Sequence, residues 1–98
     1  ALSHMTQNGM KRVVICGTSE LAEIAYLSLR EMQMTLVGFV DDGRQESFLS
    51  YPVRQLDVLQ EWEFDAVLLA NLDDIAGLRS RLKRYQISDS KILELSPV

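Results

Sequence analysis

Few residues in this 98-residue chain have side chains and spacing suited to chemistry. Gly17-Thr18-Ser19 follows the apolar run Arg12-Val13-Val14-Ile15-Cys16 and leads into Glu20-Leu21-Ala22. A glycine at the end of a buried strand permits a sharp turn into a helix, whose first N–H groups lack intrahelical partners and can hold a phosphate. The spacing fits G-x-G-x-x-G/A at Gly17 and Ala22, with Ser19 in the middle glycine position. A glycine there lets a pyrophosphate approach the backbone, whereas a serine crowds that approach and offers a hydroxyl instead. Glu20 and Glu23 add negative charge to the first turn, which stabilises an empty helix end and opposes an anion. A capped helix terminus binding only water or buffer ions is the alternative reading of the same residues.

Asp41 lies 24 positions after Gly17, beyond a second apolar run. An acidic residue at that distance can meet a ribose hydroxyl in a dinucleotide-binding unit. It suits an Asp41-Asp42-Gly43 turn equally well. Asn71, just past a later apolar run, can either hydrogen-bond a ligand or open the loop before a helix cap. Together, Gly17, Thr18, Ser19, Asp41 and Asn71 are the candidate ligand-binding residues. Catalytic groups are scarce. The single histidine, His4, lies in a patternless leader, and the single cysteine, Cys16, has neither a base nor a second thiol beside it. Cys16 reads as a small buried hydrophobe. No metal-ligand cluster is apparent, and the domain is not expected to be an enzyme by itself.

The elements needed to position these residues follow from periodicity. Residues 12–16, 35–40, 65–70 and 91–95 read as buried strands, and Tyr51-Pro52-Val53 as a short edge strand. Ser19 to about Met32 has helical spacing, with Leu21, Ala25, Ser28, Leu29 and Met32 on one face and Ile24 beside them. Thr18 or Ser19 can supply the cap hydroxyl. Leu56 to Trp62 has room for a two-turn helix. Asp73 or Asp74 can cap a second amphipathic helix running to about Tyr85, with Arg79, Arg81, Lys83 and Arg84 turned to solvent. Residues 43–51 read as a loop. Strands alternating with helices require parallel pairing and right-handed crossovers. The expected fold is therefore a doubly wound parallel α/β sheet in three layers, α/β/α, with strand order 3-2-1-4-5. Its ligand crevice is expected between the first and fourth strands.

Composition sets the outer bounds. An apolar fraction of 47% with 24% charged residues is ordinary for a globular chain. No apolar run approaches a membrane span. A net charge of −4 argues against direct nucleic-acid contact by this domain. A lone cysteine within a strand fits a reducing cytoplasm. Residues 1–10, beginning Ala1-Leu2-Ser3-His4-Met5, look like a tag remnant. Residues 11–98 form one domain, short enough to have been cut from a longer protein.

The runs Arg-Val-Val-Ile-Cys-Gly-Thr-Ser-Glu-Leu-Ala, Leu-Val-Gly-Phe-Val-Asp-Asp-Gly, Tyr-Pro-Val-Arg and Asp-Ala-Val-Leu-Leu-Ala are similar to the Rossmann-like CoA/nucleotide-binding domain family. That family includes the N-terminal domains of polysaccharide-biosynthesis proteins. The chain also resembles the ligand domain that follows a winged helix in bacterial transcriptional regulators. The resemblance spans residues 11 to 97. It implies phosphate contact at Gly17, Thr18 and Ser19, a sugar hydroxyl at Asp41, and a ligand such as NAD(H), CoA or a nucleotide sugar. The function it implies first is a non-catalytic ligand-sensing regulatory domain. An accessory nucleotide-sugar-binding domain is the second reading. The third is a homodimerisation module with a degenerate site, for which Phe48, Tyr51 and Trp62 are the candidate exposed residues.

Overall fold

The computed structural model describes residues 11–43, 46–70 and 75–94. The leader at residues 1–10, Asn71, and the proposed caps Asp73 and Asp74 lie outside the described residues.

The apolar run at the start of the domain forms β1 (Arg12–Cys16), in which every residue after Arg12 is buried. It leads into α1 (Glu20–Glu31), then β2 (Thr35–Val40), β3 (Ser47–Phe48) and β4 (Tyr51–Arg54). A 3-10 turn at Leu56–Gln60 precedes β5 (Ala66–Leu69) and α2 (Ile75–Arg84). A second 3-10 turn, Asp89–Lys91, introduces β6 (Ile92–Glu94). The result is a small α/β unit with a six-stranded sheet in the order β3-β4-β2-β1-β5-β6. Every pairing is parallel except that of β3 with β4.

Alternation along β1 divides the core in two, because successive side chains leave opposite faces of a sheet. Val13 and Ile15 join Phe39, Ala66, Leu68 and the buried side of α1, namely Leu21, Ala22, Ala25 and Leu29. Val14 and Cys16 join Val40, Val67, Leu69, the first 3-10 turn and Leu78 and Leu82 of α2. The central strands are thus apolar on both sides because both sides are covered. Ala22 is fully buried, and its small side chain allows the close approach of α1 to the sheet.

Several local expectations are corrected. Residues 43–51 are not simply a loop: β3 turns back on β4 through Leu49-Ser50, whose φ angles are 51° and 69°. A two-residue hairpin turn with both φ values positive normally carries Asn or Gly. Here the aromatic side chains decide. The paired residues Phe48 and Tyr51 lie 5.0 and 5.7 Å, ring to ring, from Phe39, and Tyr51 lies 5.7 Å from Tyr26. The strand order accordingly differs from the expected 3-2-1-4-5 by an added antiparallel edge strand.

The segment expected as a two-turn helix is a 3-10 turn that ends at Gln60. Trp62 lies beyond it with its ring against Gly38 of β2, where a Cβ would stand 2.6 Å from the ring. Ile24, expected beside the buried face of α1, is 54% exposed, with Leu27 at 50%. Conversely Phe48, Tyr51 and Trp62, offered as an exposed patch, are half-buried. Among the described residues no helix is long and apolar enough to cross a membrane.

Asp65 anchors the amino end of the sheet. Its Oδ2 accepts the N–H groups of Arg12 and Lys11 at 2.8 and 2.9 Å, and these bonds lower its pKa.

Candidate functional site

Gly17 marks the point where β1 must leave the sheet. Its N–H donates to the Val40 carbonyl at 3.0 Å, extending the ladder by one residue. Its φ of 129° then turns the chain towards α1, a conformation that a side chain disfavours. Ser19 stands at the N-cap with extended backbone, and its carbonyl accepts the N–H groups of Ala22 and Glu23.

The hydroxyls do not cap the helix as expected. Thr18 Oγ1 donates to Asp41 Oδ2 at 3.0 Å, and Ser19 Oγ donates to the Ala70 carbonyl at 3.3 Å. Each hydroxyl therefore ties the glycine turn to the end of a neighbouring strand. The first turn of α1 carries Glu20 and Glu23, and the Ser19 side chain makes no cap hydrogen bond to it.

The aspartates after β2 are equally committed. Asp41 Oδ1 accepts the Gly43 N–H at 2.8 Å, closing the turn on itself. Asp42 Oδ1 accepts the Leu56 N–H at 3.0 Å, which anchors the first 3-10 turn, and its Oδ2 faces Arg81 Nη1 at 3.4 Å. These groups surround a crevice of about 300 Å³ lined by Cys16, Gly17, Asp41, Asp42, Leu56 and Arg81, with Gly43 and Leu78 completing it.

This crevice lies at the carboxyl ends of β1 and β2, beneath α2; the loop after β5, part of the crevice expected between β1 and β5, lies outside the described residues. Gly17 and Asp41 are brought together in its wall. Thr18 reaches it only through its bond to Asp41, and Ser19 turns away towards β5. Asn71 lies outside the described residues.

Arg81, expected to face solvent, is indeed exposed, but it also lines the crevice, a role the sequence does not single out. Its position three residues after buried Leu78 puts both on one edge of α2, which is the signal that could have found it. Two other basic residues of α2 are also engaged: Arg79 pairs with Glu94 at 2.8 Å and Asp89 at 3.6 Å, and Lys83 with Asp89 at 3.3 Å.

Cys16 closes the floor of the crevice but is only 2% exposed. Burial, reinforced by the charges of Asp41 and Asp42 and opposed by Arg81, pushes its thiol up to about 12. A thiol held neutral is a poor nucleophile and a poor metal ligand. Among the described residues no group of three or more His, Cys, Asp or Glu side chains is placed to hold a metal ion. The arrangement can offer hydrogen-bond acceptors and one guanidinium to a small polar molecule.

A search of curated proteins found no match to the chain. Residues 9–93 match the family described as C2185-like, N-terminal, and the chain belongs to that family.

Proposed function

We propose that this chain is a non-catalytic, ligand-sensing regulatory domain of a larger bacterial transcriptional regulator, working in the cytoplasm on a doubly wound, Rossmann-like sheet. The ligand is of the nucleotide or CoA type, a class that includes NAD(H), CoA and nucleotide sugars. One observation carries the reading. The Asp41 carboxylate is held by the Thr18 hydroxyl and the Gly43 N–H beside Gly17, in the wall of the crevice. A carboxylate fixed in that way is poised to accept from a sugar hydroxyl that displaces the Thr18 hydroxyl. The volume of about 300 Å³ suits a nucleoside-sized portion of a ligand and is at the low end for small-molecule sites. Description of the family by an N-terminal unit supports a longer parent protein. The scarcity of catalytic groups supports sensing over turnover.

Thermal denaturation with NAD(H), CoA and nucleotide sugars tests this. A ligand at 100 times its dissociation constant should stabilise the domain by about 2.7 kcal/mol. Asp41→Ala should weaken that ligand at least tenfold. The absence of any shift across these ligands would overturn the proposal.

Homodimerisation is a second reading, favoured by the exposure of Ile24 and Leu27 one turn apart on α1. Sedimentation would show a dimer that Leu27→Glu converts to monomer. A monomer at high concentration would remove this reading.

A further inference from the structure

A second cavity, larger than the crevice at the carboxyl ends of the strands, lies elsewhere among the described residues. This cavity of about 720 Å³ lies at the opposite, amino end, between the segments that lead into β5 and β6. Arg12 opens β1 on one side, Trp62 and Phe64 come from the approach to β5, and Tyr85 and Lys91 from the approach to β6. Three aromatic side chains, each half-buried, therefore face one space. The position of Trp62 is built into the sheet: β2 has a glycine at position 38, and any Cβ there would overlap the indole.

Charge distinguishes the two cations of the lining. Arg12 Nη1 is taken by Glu63 at 3.3 Å. Lys91 has no carboxylate within ion-pair distance among the described residues. Its Nζ stands 5.4 Å from the centre of the Phe64 ring. It acts on Asp65 only through space, and that carboxylate already accepts two backbone N–H groups. An ammonium over an aromatic face, beside two further rings, matches a flat apolar body that carries one negative group.

We propose that this amino-end cavity is a second binding site, for a small planar aromatic molecule with a single carboxylate or comparable anionic group. The ring system lies against Trp62, Phe64 and Tyr85, and Lys91 receives the anion. The proposal is independent of the crevice beside Gly17, which shares none of these residues.

The full chain labelled with ¹⁵N is titrated with 2-naphthoate, and in parallel with uncharged 2-naphthamide. Shifts should concentrate at residues 60–64 and 85–91 and at the Trp62 indole N–H, with naphthoate the tighter of the two. Lys91→Ala should weaken naphthoate at least fivefold and leave naphthamide within twofold. Tyr85→Ala, at a half-buried position, should weaken both, and Trp62→Ala should do so more strongly if it folds. Shifts centred on residues 16–17 and 41–43 would overturn the proposal. So would scattered shifts, or equal binding of the two probes with no effect of Lys91→Ala.

Discussion

Adding one methyl group at Gly38 tests how the chain seats its only tryptophan. A Cβ at that position would stand 2.6 Å from Cη2 of Trp62, 3.0 Å from Cζ3 and 3.5 Å from Cζ2. Carbon atoms in contact are comfortable at about 3.5–4.0 Å, so the six-membered ring must retreat by about 1 Å. Gly38 is paired with Val14 of β1 in the sheet, so the side chain must yield before the strand does. Overpacking of this kind costs about 1–3 kcal/mol. Replacing glycine by alanine returns about 0.4–1 kcal/mol through the unfolded chain, because Gly38 has no positive φ to protect. The expected net loss for Gly38→Ala is about 1–2 kcal/mol, or a fall in Tm of about 5–15 °C for a domain of this size. Trp62 emission should shift to the red as the ring moves towards water. In a Trp62→Leu background the same alanine should cost at least 1 kcal/mol less, because the obstructing ring is gone. Equal costs in the two backgrounds would refute the reasoning, as would a Gly38→Ala protein with the parent's Tm and emission.

The hairpin turn offers the opposite sign: Leu49→Asn with Ser50→Gly should stabilise the domain by about 1–2 kcal/mol in chemical denaturation, since left-handed φ disfavours both native residues. Asp65 has a folded pKa below that of an unfolded carboxylate, so its contribution is present above about pH 4 and lost as pH falls through the folded value. Asp65→Asn should flatten the acid limb of stability against pH. At pH 7 it should cost only about 1 kcal/mol, because the site is open to solvent. Cys16, with its thiol pushed up to about 12, should react with a disulfide reagent at pH 8 only as fast as the domain opens, and low denaturant should accelerate that reaction. Breaking the Arg81–Asp42 contact with Arg81→Ala should change Tm by less than about 1 kcal/mol equivalent, since both side chains are partly exposed.

The central strands and both helices were legible because their signals are local. Val13 to Cys16 and Ala66 to Leu69 are continuous apolar runs, and burial on both faces is the condition that such runs satisfy. Gly17 was equally legible, since its φ of 129° is a backbone demand that glycine meets. The hairpin was not. Leu49-Ser50 carries no turn chemistry, and only Phe39 and Tyr26, distant in sequence, make β3 worth forming by packing on Phe48 and Tyr51.

Side-chain direction separates the two kinds of knowledge most clearly at the crevice. Residue types alone determined that Gly17, Thr18, Ser19 and Asp41 would stand near the end of β1. The tertiary structure decided what each side chain does. Thr18 donates across to the end of β2, Ser19 donates across to the end of β5, and Arg81 arrives from 39 residues further along the chain to meet Asp42. Local spacing encodes backbone conformation, because φ and ψ depend on near neighbours. A hydroxyl or guanidinium, by contrast, pairs with whatever polar group folding brings within about 3 Å. Hydrogen bonds across strands therefore remained for the assembled sheet to decide.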